Sequence, residues 1–132
     1  MNMIDVVCGV VIHEDRILIT QRGDEKYFGK WEFPGGKVIT REHPFDSIKR
    51  ELIEELKLEV NPKREITRYT HCEFNLIFIE CIVLNIDNIQ LNEHLDYRWI
   101  NENEFQKFDF LQGDLRFTQK YNELKDETIQ IK

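Results

Sequence analysis

The apolar residues of this chain fall into short runs with two different periods, separated by polar turns. An almost continuously apolar run at residues 4–12 predicts a buried strand. Residues 16–22 alternate between apolar and polar side chains, which predicts a second strand that forms a hairpin with the first. A polar loop at residues 23–30 and a short strand at residues 31–33 follow.

A helical period appears between Pro44 and Leu58, where apolar residues recur every three or four positions. This spacing predicts one apolar stripe on an amphipathic helix. Pro44 suits the first helical position, and His43 precedes it at the N-cap position. The members of the stripe are Phe45, Ile48, Leu52 and Leu56.

The second half of the chain is rich in β-branched and aromatic residues, which favour strands. The order of the elements predicts an α+β fold in which helices sandwich a mixed sheet, as a single domain over residues 1–132. The elements predicted after the first helix are a turn at 61–63, strands at 65–72, 74–85 and 97–100, a helical segment at 102–108 and a helix at 115–125.

Composition narrows the possible partners. The net charge is −7, which argues against a partner bound through polynucleotide phosphates alone. No apolar run is long enough to span a membrane, and the N-terminus lacks the pattern of a secretion signal.

The three cysteines, Cys8, Cys72 and Cys81, lie in or beside apolar runs without CxxC spacing. We therefore expect buried, reduced thiols in a cytoplasmic protein.

The predicted helix carries three carboxylates on one narrow arc beside its apolar stripe. Glu51, Glu54 and Glu55 stand at positions i, i+3 and i+4, where like charges destabilise a helix by a few tenths of a kcal/mol per pair. One explanation is an acidic face in solvent. The other is a divalent cation, because Mg²⁺ and Mn²⁺ prefer carboxylate and carbonyl oxygens.

The residues around this acidic face carry a family resemblance. Gly36, Glu42, the run Arg50-Glu51-Leu52, Glu54-Glu55 and Leu58 resemble in type and spacing the signature of the Nudix hydrolases. The preceding Trp31-Glu32-Phe33-Pro34-Gly35-Gly36-Lys37 resembles the MutT-like branch. Lys57 departs from the pattern, because the family usually ends the helix there with a left-handed Gly. We expect either that Lys57 costs about 1 kcal/mol in that conformation or that the helix ends differently.

The resemblance implies a metal site and a set of catalytic residues. The metal ligands would be the Gly36 carbonyl with Glu51, Glu54 and Glu55, binding Mg²⁺ or Mn²⁺. Glu42 would pair with Arg50 and hold the loop against the helix, so both count among the catalytic residues. Either Glu51 or Glu54 would take the proton of the attacking water.

The resemblance also implies four substrate-binding residues, namely Arg22, Phe33, Lys37 and Asp114. Arg22 would hold phosphate through its fork of donors, and a surface arginine is the alternative. Asp114 would read the nucleobase. An ionised Asp only accepts hydrogen bonds, which suits the amine of cytosine or the ring N–H of oxidised guanine. The alternative for Asp114 is an N-cap before Leu115.

The loop before residues 97–100 is a candidate source of a further site carboxylate. In related enzymes an acid in this region binds metal or acts as base. Glu93 and Asp96 are both candidates, and a surface acid is the favoured interpretation of each. Arg98 stands where the best-known MutT enzyme has an acid.

Together these features predict a Mg²⁺-dependent hydrolase that converts a (deoxy)nucleoside triphosphate into the monophosphate and pyrophosphate. The leading substrates are oxidised dGTP and (d)CTP. One alternative is hydrolysis of a sugar nucleotide, a dinucleotide or capped RNA, and another is a nucleotide-binding regulatory domain without turnover. The expected partner is thus a small nucleotide.

Overall fold

Seven strands form one mixed sheet within residues 2–131, the part of the chain that the computed structural model describes, with side chains as far as residue 125. The main order of strands is β3-β2-β1-β6-β5, and β4 pairs with β1 while β7 pairs with β2. The strands are β1 (Ile4–His13), β2 (Arg16–Gln21), β3 (Trp31–Glu32), β4 (Gly35–Lys37), β5 (Glu59–His71), β6 (Phe74–Asn85) and β7 (Asp96–Ile100).

The central pairing of the sheet is parallel. β1 runs parallel to β6 from the Ile4–Phe74 pair to the Ile12–Ile82 pair, and it forms the predicted antiparallel hairpin with β2. The parallel strands must be joined by a long crossover, and this crossover contains the first helix. The mixed sheet is therefore confirmed.

Helices cover the two faces of the sheet, as predicted. One core cluster contains the fully buried Ile48, Leu52 and Leu56 of the first helix, α1 (Pro44–Leu56). The other contains Phe117 of the last helix, α2 (Gln112–Ile131), whose ring stacks on Phe78 of β6 with 4.3 Å between centroids. Within the described residues, no helix has the length and apolar character needed to cross a membrane. The helices are α1 (Pro44–Leu56), a short 3₁₀ helix (Glu102–Lys107) and α2 (Gln112–Ile131).

The C-terminal end of α1 explains the unusual Lys57. Lys57 adopts the left-handed conformation, with φ 52° and ψ 37°, that the resemblance assigns to glycine. The amide of Lys57 donates to the carbonyl of Ile53 at 3.0 Å, which is the hydrogen bond of an αL motif, and the amide of Leu58 donates to the carbonyl of Leu52 at 3.2 Å. Leu58 and Leu52 are both fully buried in the α1 core cluster. Burial of this pair fixes the helix end despite the strain at Lys57.

The predicted turn at residues 61–63 is wrong, because β5 runs through it. Pro62 lies in β5 opposite Cys81, next to a shift of register between Pro62 and Arg64. β5 is the outer strand of the sheet, and a proline is tolerated at such an edge or at a bulge since no neighbouring strand needs its amide. The sheet thus extends as far as Glu59.

Gly35–Lys37 forms a short strand that pairs with β1. Gly35 pairs with Cys8 and Gly36 pairs with Val7, both on β1. A Cβ at Gly35 would overlap the carbonyl oxygen of Val7, so only glycine allows this close approach. The pairing brings the glycine pair to the middle of the sheet.

The cysteines are free thiols, and two of the three follow the prediction. Cys8 and Cys81 are buried. Cys72 is exposed, so the prediction is wrong for this residue. The reason is that Cys72 forms the turn between β5 and β6, with φ 54°.

Replacing Lys57 with glycine tests the strain at the end of α1. We expect Lys57→Gly to raise the free energy of unfolding by about 1 kcal/mol, because glycine adopts the left-handed conformation without a Cβ penalty. Chemical denaturation measures this change. Lys57→Ala is the control, since it removes the long side chain and keeps the Cβ. Equal stabilisation by both variants would show that strain is not the cause.

Candidate active site

The Arg50 side chain joins α1 to the segment that follows β4. Its Nε and Nη2 donate to the two carboxylate oxygens of Glu42 at 2.9 and 3.0 Å, and Nη2 also donates to the Lys37 carbonyl at 3.2 Å. This two-point contact agrees with the pairing that the resemblance implies. The hydrogen bonds from Arg50 lower the pKa of Glu42 to about 2. The pair is therefore charged across the physiological range.

The same guanidinium extends into the acidic face of α1. Arg50 Nη1 donates to Glu51 at 3.0 Å and to Glu54 at 3.2 Å. One cation thus offsets part of the repulsion between carboxylates that stand within a single turn of the helix. Glu54 remains 58% exposed, whereas Glu51 is only 15% exposed.

Glu51 packs directly against the backbone of Gly36. A Cβ at Gly36 would lie 2.5 Å from the carboxylate carbon of Glu51, so any side chain there would displace the carboxylate. The absence of a side chain at Gly36 therefore allows a strand and a helical glutamate to meet. The structure brings these two predicted metal ligands together.

Glu55 is a carboxylate of the cluster that is poorly stabilised as an anion. Its Oε2 atom is buried and, among the described residues, has no hydrogen-bond partner. Burial, with the nearby charges of Glu32 and Glu51, raises the pKa of Glu55 to about 9. A buried acid without a partner is stabilised by either a proton or a cation.

The cluster lines a cleft of about 410 Å³ whose walls are mostly acidic. In the described part of the chain, no three acid, imidazole or thiol side chains are already grouped as a metal site. The donors that face the cleft nevertheless suit Mg²⁺ or Mn²⁺, because all are oxygens and one buried oxygen lacks a partner. The lining residues are Glu51, Glu54, Glu55, Asn92 and Glu93.

The loop at residues 89–95 closes this cleft by capping the end of α1. The amide of Gln90 donates to the carbonyl of Leu56 at 2.8 Å, and the amide of Asn92 donates to the carbonyl of Glu55 at 3.1 Å. The last carbonyls of a helix have no partner inside the helix, so the loop satisfies them. This contact places Glu93 at the cleft.

The structure distinguishes the two loop carboxylates that the sequence left open. Glu93 lines the acidic cleft. Asp96 instead pairs with Arg98 at 3.0 Å and accepts from the amide of Tyr97. Of these two, only Glu93 is placed to join the cluster, and Arg98 neutralises Asp96.

Arg22 lies at the start of the loop that follows β2, where two carboxylates hold it. Its Nε donates to Asp24 at 2.7 Å and its Nη1 donates to Glu32 at 3.1 Å. The guanidinium also stands over the ring of Tyr27, 5.3 Å from its centroid. With 32% of its side chain exposed, Arg22 remains accessible to a ligand.

Two residues at this site were not predicted from the sequence. Glu32 pairs with Arg22, and its other oxygen lies 2.8 Å from Nε2 of His94. The sequence signal for Glu32 is an acid that stands between the apolar Trp31 and Phe33 in a short strand. His94 has no comparable signal, because its contact with Glu32 forms only when the loop at residues 89–95 packs against β3.

Asp114 is buried in the first turn of α2, with 7% exposure. Its Oδ2 accepts a hydrogen bond from the amide of Phe33 at 2.8 Å. Burial and the charge of Glu32 raise the pKa of Asp114 to about 8. The alternative of an N-cap is wrong, because α2 begins earlier, at Gln112.

The remaining predicted substrate residues differ in accessibility. The ring of Phe33 is buried among other aromatic rings, which leaves its backbone as the part that meets Asp114. Lys37 is exposed at the end of β4, next to Gly36. The structure therefore leaves Arg22 and Lys37, and not the ring of Phe33, open to solvent.

The buried acid at Glu55 predicts how stability depends on pH in the absence of divalent cations. The pKa of Glu55 is about 9 in the folded protein. Because an unfolded Glu has a pKa of about 4.3, the folded state binds the extra proton, and stability falls as pH rises between these values. We expect Glu55→Gln to remove this loss and to gain stability over the wild type by about 1–3 kcal/mol between about pH 5 and pH 8.

Urea denaturation in the presence of a chelator measures this difference. Glu54→Gln is the control, because Glu54 is largely exposed and should gain much less. Parallel pH profiles of the wild type and Glu55→Gln would contradict the expectation.

The chain is similar to known proteins over most of its length. The NUDIX domain family matches residues 3–121. The 8-oxo-dGTP diphosphatase of Buchnera aphidicola subsp. Schizaphis graminum is 34% identical over 113 residues, which cover 83% of this chain and 86% of the relative. The CTP pyrophosphohydrolase of Escherichia coli K12 is 26% identical over 130 residues, which cover 95% of this chain and 96% of the relative.

A solved structure has the same fold. The solution structure of the E. coli ORF135 protein has a TM-score of 0.78 and 25% sequence identity, covering 95% of this chain and 92% of that chain. The family match extends across most of the sequence and includes the acidic helix and its glycine strand. This chain therefore belongs to the Nudix hydrolase family, in its MutT-like branch.

Proposed function

We propose that this enzyme hydrolyses nucleoside triphosphates to the monophosphate and pyrophosphate with the help of Mg²⁺. The observation that carries the proposal is the buried, unpartnered oxygen of Glu55 in a cleft lined by carboxylates. An acidic cleft repels a polyphosphate unless a cation stands between them. The printed names of two relatives, a diphosphatase of 8-oxo-dGTP and a pyrophosphohydrolase of CTP, support this class of substrate.

The metal would be held by the Gly36 carbonyl and by Glu51, Glu54 and Glu55. Glu93 lines the same cleft. When bound, Mg²⁺ or Mn²⁺ neutralises phosphate charge and lowers the pKa of a coordinated water. The protein contributes an all-oxygen donor set whose shape depends on the packing of Glu51 against Gly36.

The proton of the attacking water would pass to a carboxylate oxygen of Glu51 or Glu54. Both are hydrogen-bonded to Nη1 of Arg50, which fixes their position relative to the cleft. Arg50 in turn is held by Glu42. We therefore assign Arg50 and Glu42 the role of positioning the base, without contact to the substrate.

The polyphosphate would lie between the acidic cleft and Arg22. Two nitrogens of the Arg22 guanidinium are occupied by Asp24 and Glu32, and among the described residues Nη2 has no hydrogen-bond partner. This free edge is suited to a phosphate oxygen. Lys37 is exposed beside Gly36 and would add a second positive charge.

The base would be recognised near Phe33 and Asp114. With a pKa of about 8, the Asp114 carboxyl group is largely protonated at neutral pH and offers one donor as well as acceptors. This extends the purely accepting role predicted from the sequence.

Oxidised dGTP and (d)CTP are the substrates we propose. We assign the activity to one domain over residues 1–132, and a cytoplasmic location stays a prediction.

A Glu54→Gln variant tests the enzymatic proposal. We expect wild-type protein with Mg²⁺ to release pyrophosphate from oxidised dGTP or (d)CTP in a panel of nucleotides. Loss of one metal-binding carboxylate should lower kcat by about two to three orders of magnitude. Glu59→Gln is the control, because Glu59 is exposed at the start of β5 outside the cleft. Wild-type protein inactive on the whole panel, or a fully active Glu54→Gln variant, would refute the proposal.

A Gly36→Ala variant tests the metal site without any measurement of turnover. The added methyl group should displace the Glu51 carboxylate and weaken Mn²⁺ binding by roughly tenfold or more. Titration with Mn²⁺, followed by electron paramagnetic resonance, measures the affinity. Gly29→Asn is the control, because a Cβ there contacts nothing within 4 Å, Gly29 does not line the cleft, and asparagine tolerates its φ of 84°. Unchanged Mn²⁺ affinity in folded Gly36→Ala protein would contradict the ligand set.

A further inference from the structure

Glu32 is a buried acid whose two oxygens are held from opposite sides. Its side chain is 12% exposed. Oε1 accepts from Nη1 of Arg22 at 3.1 Å, and Oε2 lies 2.8 Å from Nε2 of His94. A carboxylate removed from water is stabilised only when its oxygens are hydrogen-bonded. Both contacts are therefore needed to keep Glu32 in one orientation.

His94 is held at this position by the backbone on either side of it. Its side chain is 6% exposed. The amide of Leu95 donates to the carbonyl of Gln21 on β2 at 2.9 Å, and the amide of Asn92 donates to the carbonyl of Glu55 on α1 at 3.1 Å. The imidazole is thus fixed between the sheet and the acidic helix.

The two ring nitrogens of His94 are not equivalent. A carboxylate oxygen accepts, so the contact with Glu32 places a proton on Nε2. Nδ1 is buried and, within the described part of the chain, has no hydrogen-bond partner. The contact that the protein uses is therefore made by Nε2 alone.

The orientation of Arg22 depends on this contact. One carboxylate that holds Arg22, Asp24, is exposed on a loop, whereas Glu32 is buried in β3. An exposed ion pair fixes a side chain weakly. The buried pair with Glu32 therefore sets the direction of the guanidinium, and His94 sets the direction of Glu32.

We propose that His94 is a positioning residue for polyphosphate binding, acting on Arg22 through Glu32. This inference rests on the proposed function, in which Arg22 binds phosphate. It assigns a role to the loop between β6 and β7 that is separate from the carboxylate of Glu93. The loop then serves both halves of the site, the acidic cleft and the phosphate-binding arginine.

A competing explanation is that His94 acts on the metal cluster. Its Nε2 lies 3.8 Å from Oε2 of Glu55, longer than its contact with Glu32. If His94 acted through Glu55, its replacement would change metal-dependent catalysis whether or not Arg22 were present. A double-mutant cycle with Arg22 separates the two explanations.

A matched pair of amide substitutions tests the contact itself. In His94→Gln, the amide nitrogen can reach the position of Nε2, whereas the shorter side chain in His94→Asn places its amide near the unused Nδ1. We expect His94→Asn to raise KM for the nucleotide roughly tenfold while kcat stays within about twofold. His94→Gln should retain a KM within about threefold of the wild-type value.

The His94→Asn substitution is then made in an Arg22→Ala background. There His94→Asn should cause no further increase of KM, because the residue through which it acts is absent. An equal effect of His94→Asn in both backgrounds, or an effect confined to kcat, would overturn the proposal. Equal loss in His94→Gln and His94→Asn would overturn it as well, since the role would then not depend on Nε2.

An NMR measurement keeps the test independent of turnover. In nitrogen–proton spectra of the metal-free protein, the Arg22 Nε–H signal should shift in His94→Asn and stay in place in His94→Gln. Arg68 is the internal control, because its guanidinium pairs with Glu65 on the exposed part of β5. An Arg22 signal that does not respond to His94→Asn would overturn the inference. If the wild type hydrolyses no nucleotide while Arg22 responds as expected, only the proposed function fails.

Discussion

The guanidinium of Arg50 is the interaction on which the site depends. From one position on α1 it donates to Glu42, to the carbonyl of Lys37 and to two carboxylates of the acidic face, Glu51 and Glu54. It therefore joins the glycine strand to the helix and also offsets the repulsion that the helix carries. A lysine would supply the charge but not the several directed hydrogen bonds, because its ammonium group is a single point of contact.

Two other carboxyl groups near the site are buried away from water, which disfavours their ionised form. Glu55 and Asp114 both have pKa values raised mainly by burial. Such groups reduce the stability of the folded protein, and active sites commonly retain them because the chemistry requires them. The surrounding structure compensates through burial of the α1 stripe and through the loop at residues 89–95, which satisfies the end of the helix.

Close backbone approach is the second requirement of this arrangement. Gly36 allows the Glu51 carboxylate to reach the strand, and Gly35 allows that strand to pair with β1. At the other end of α1, Lys57 takes a left-handed conformation that favours glycine, held by the burial of Leu58. The position of the acidic face is therefore set by two strand contacts and one strained helix end.

The sequence by itself determined the features that depend on near neighbours, namely the apolar stripe of α1 and the strands of the first hairpin, while the pairing of Glu42 with Arg50 came from the family resemblance. Tertiary structure alone decided the others. The contacts of Glu32 with His94 and of Phe33 with Asp114 join residues 62 and 81 positions apart. The strand through Pro62 likewise depends on β5 lying at the edge of the sheet. Local periodicity carries no information about such neighbours, because they are brought together only when the sheet and the 89–95 loop are assembled.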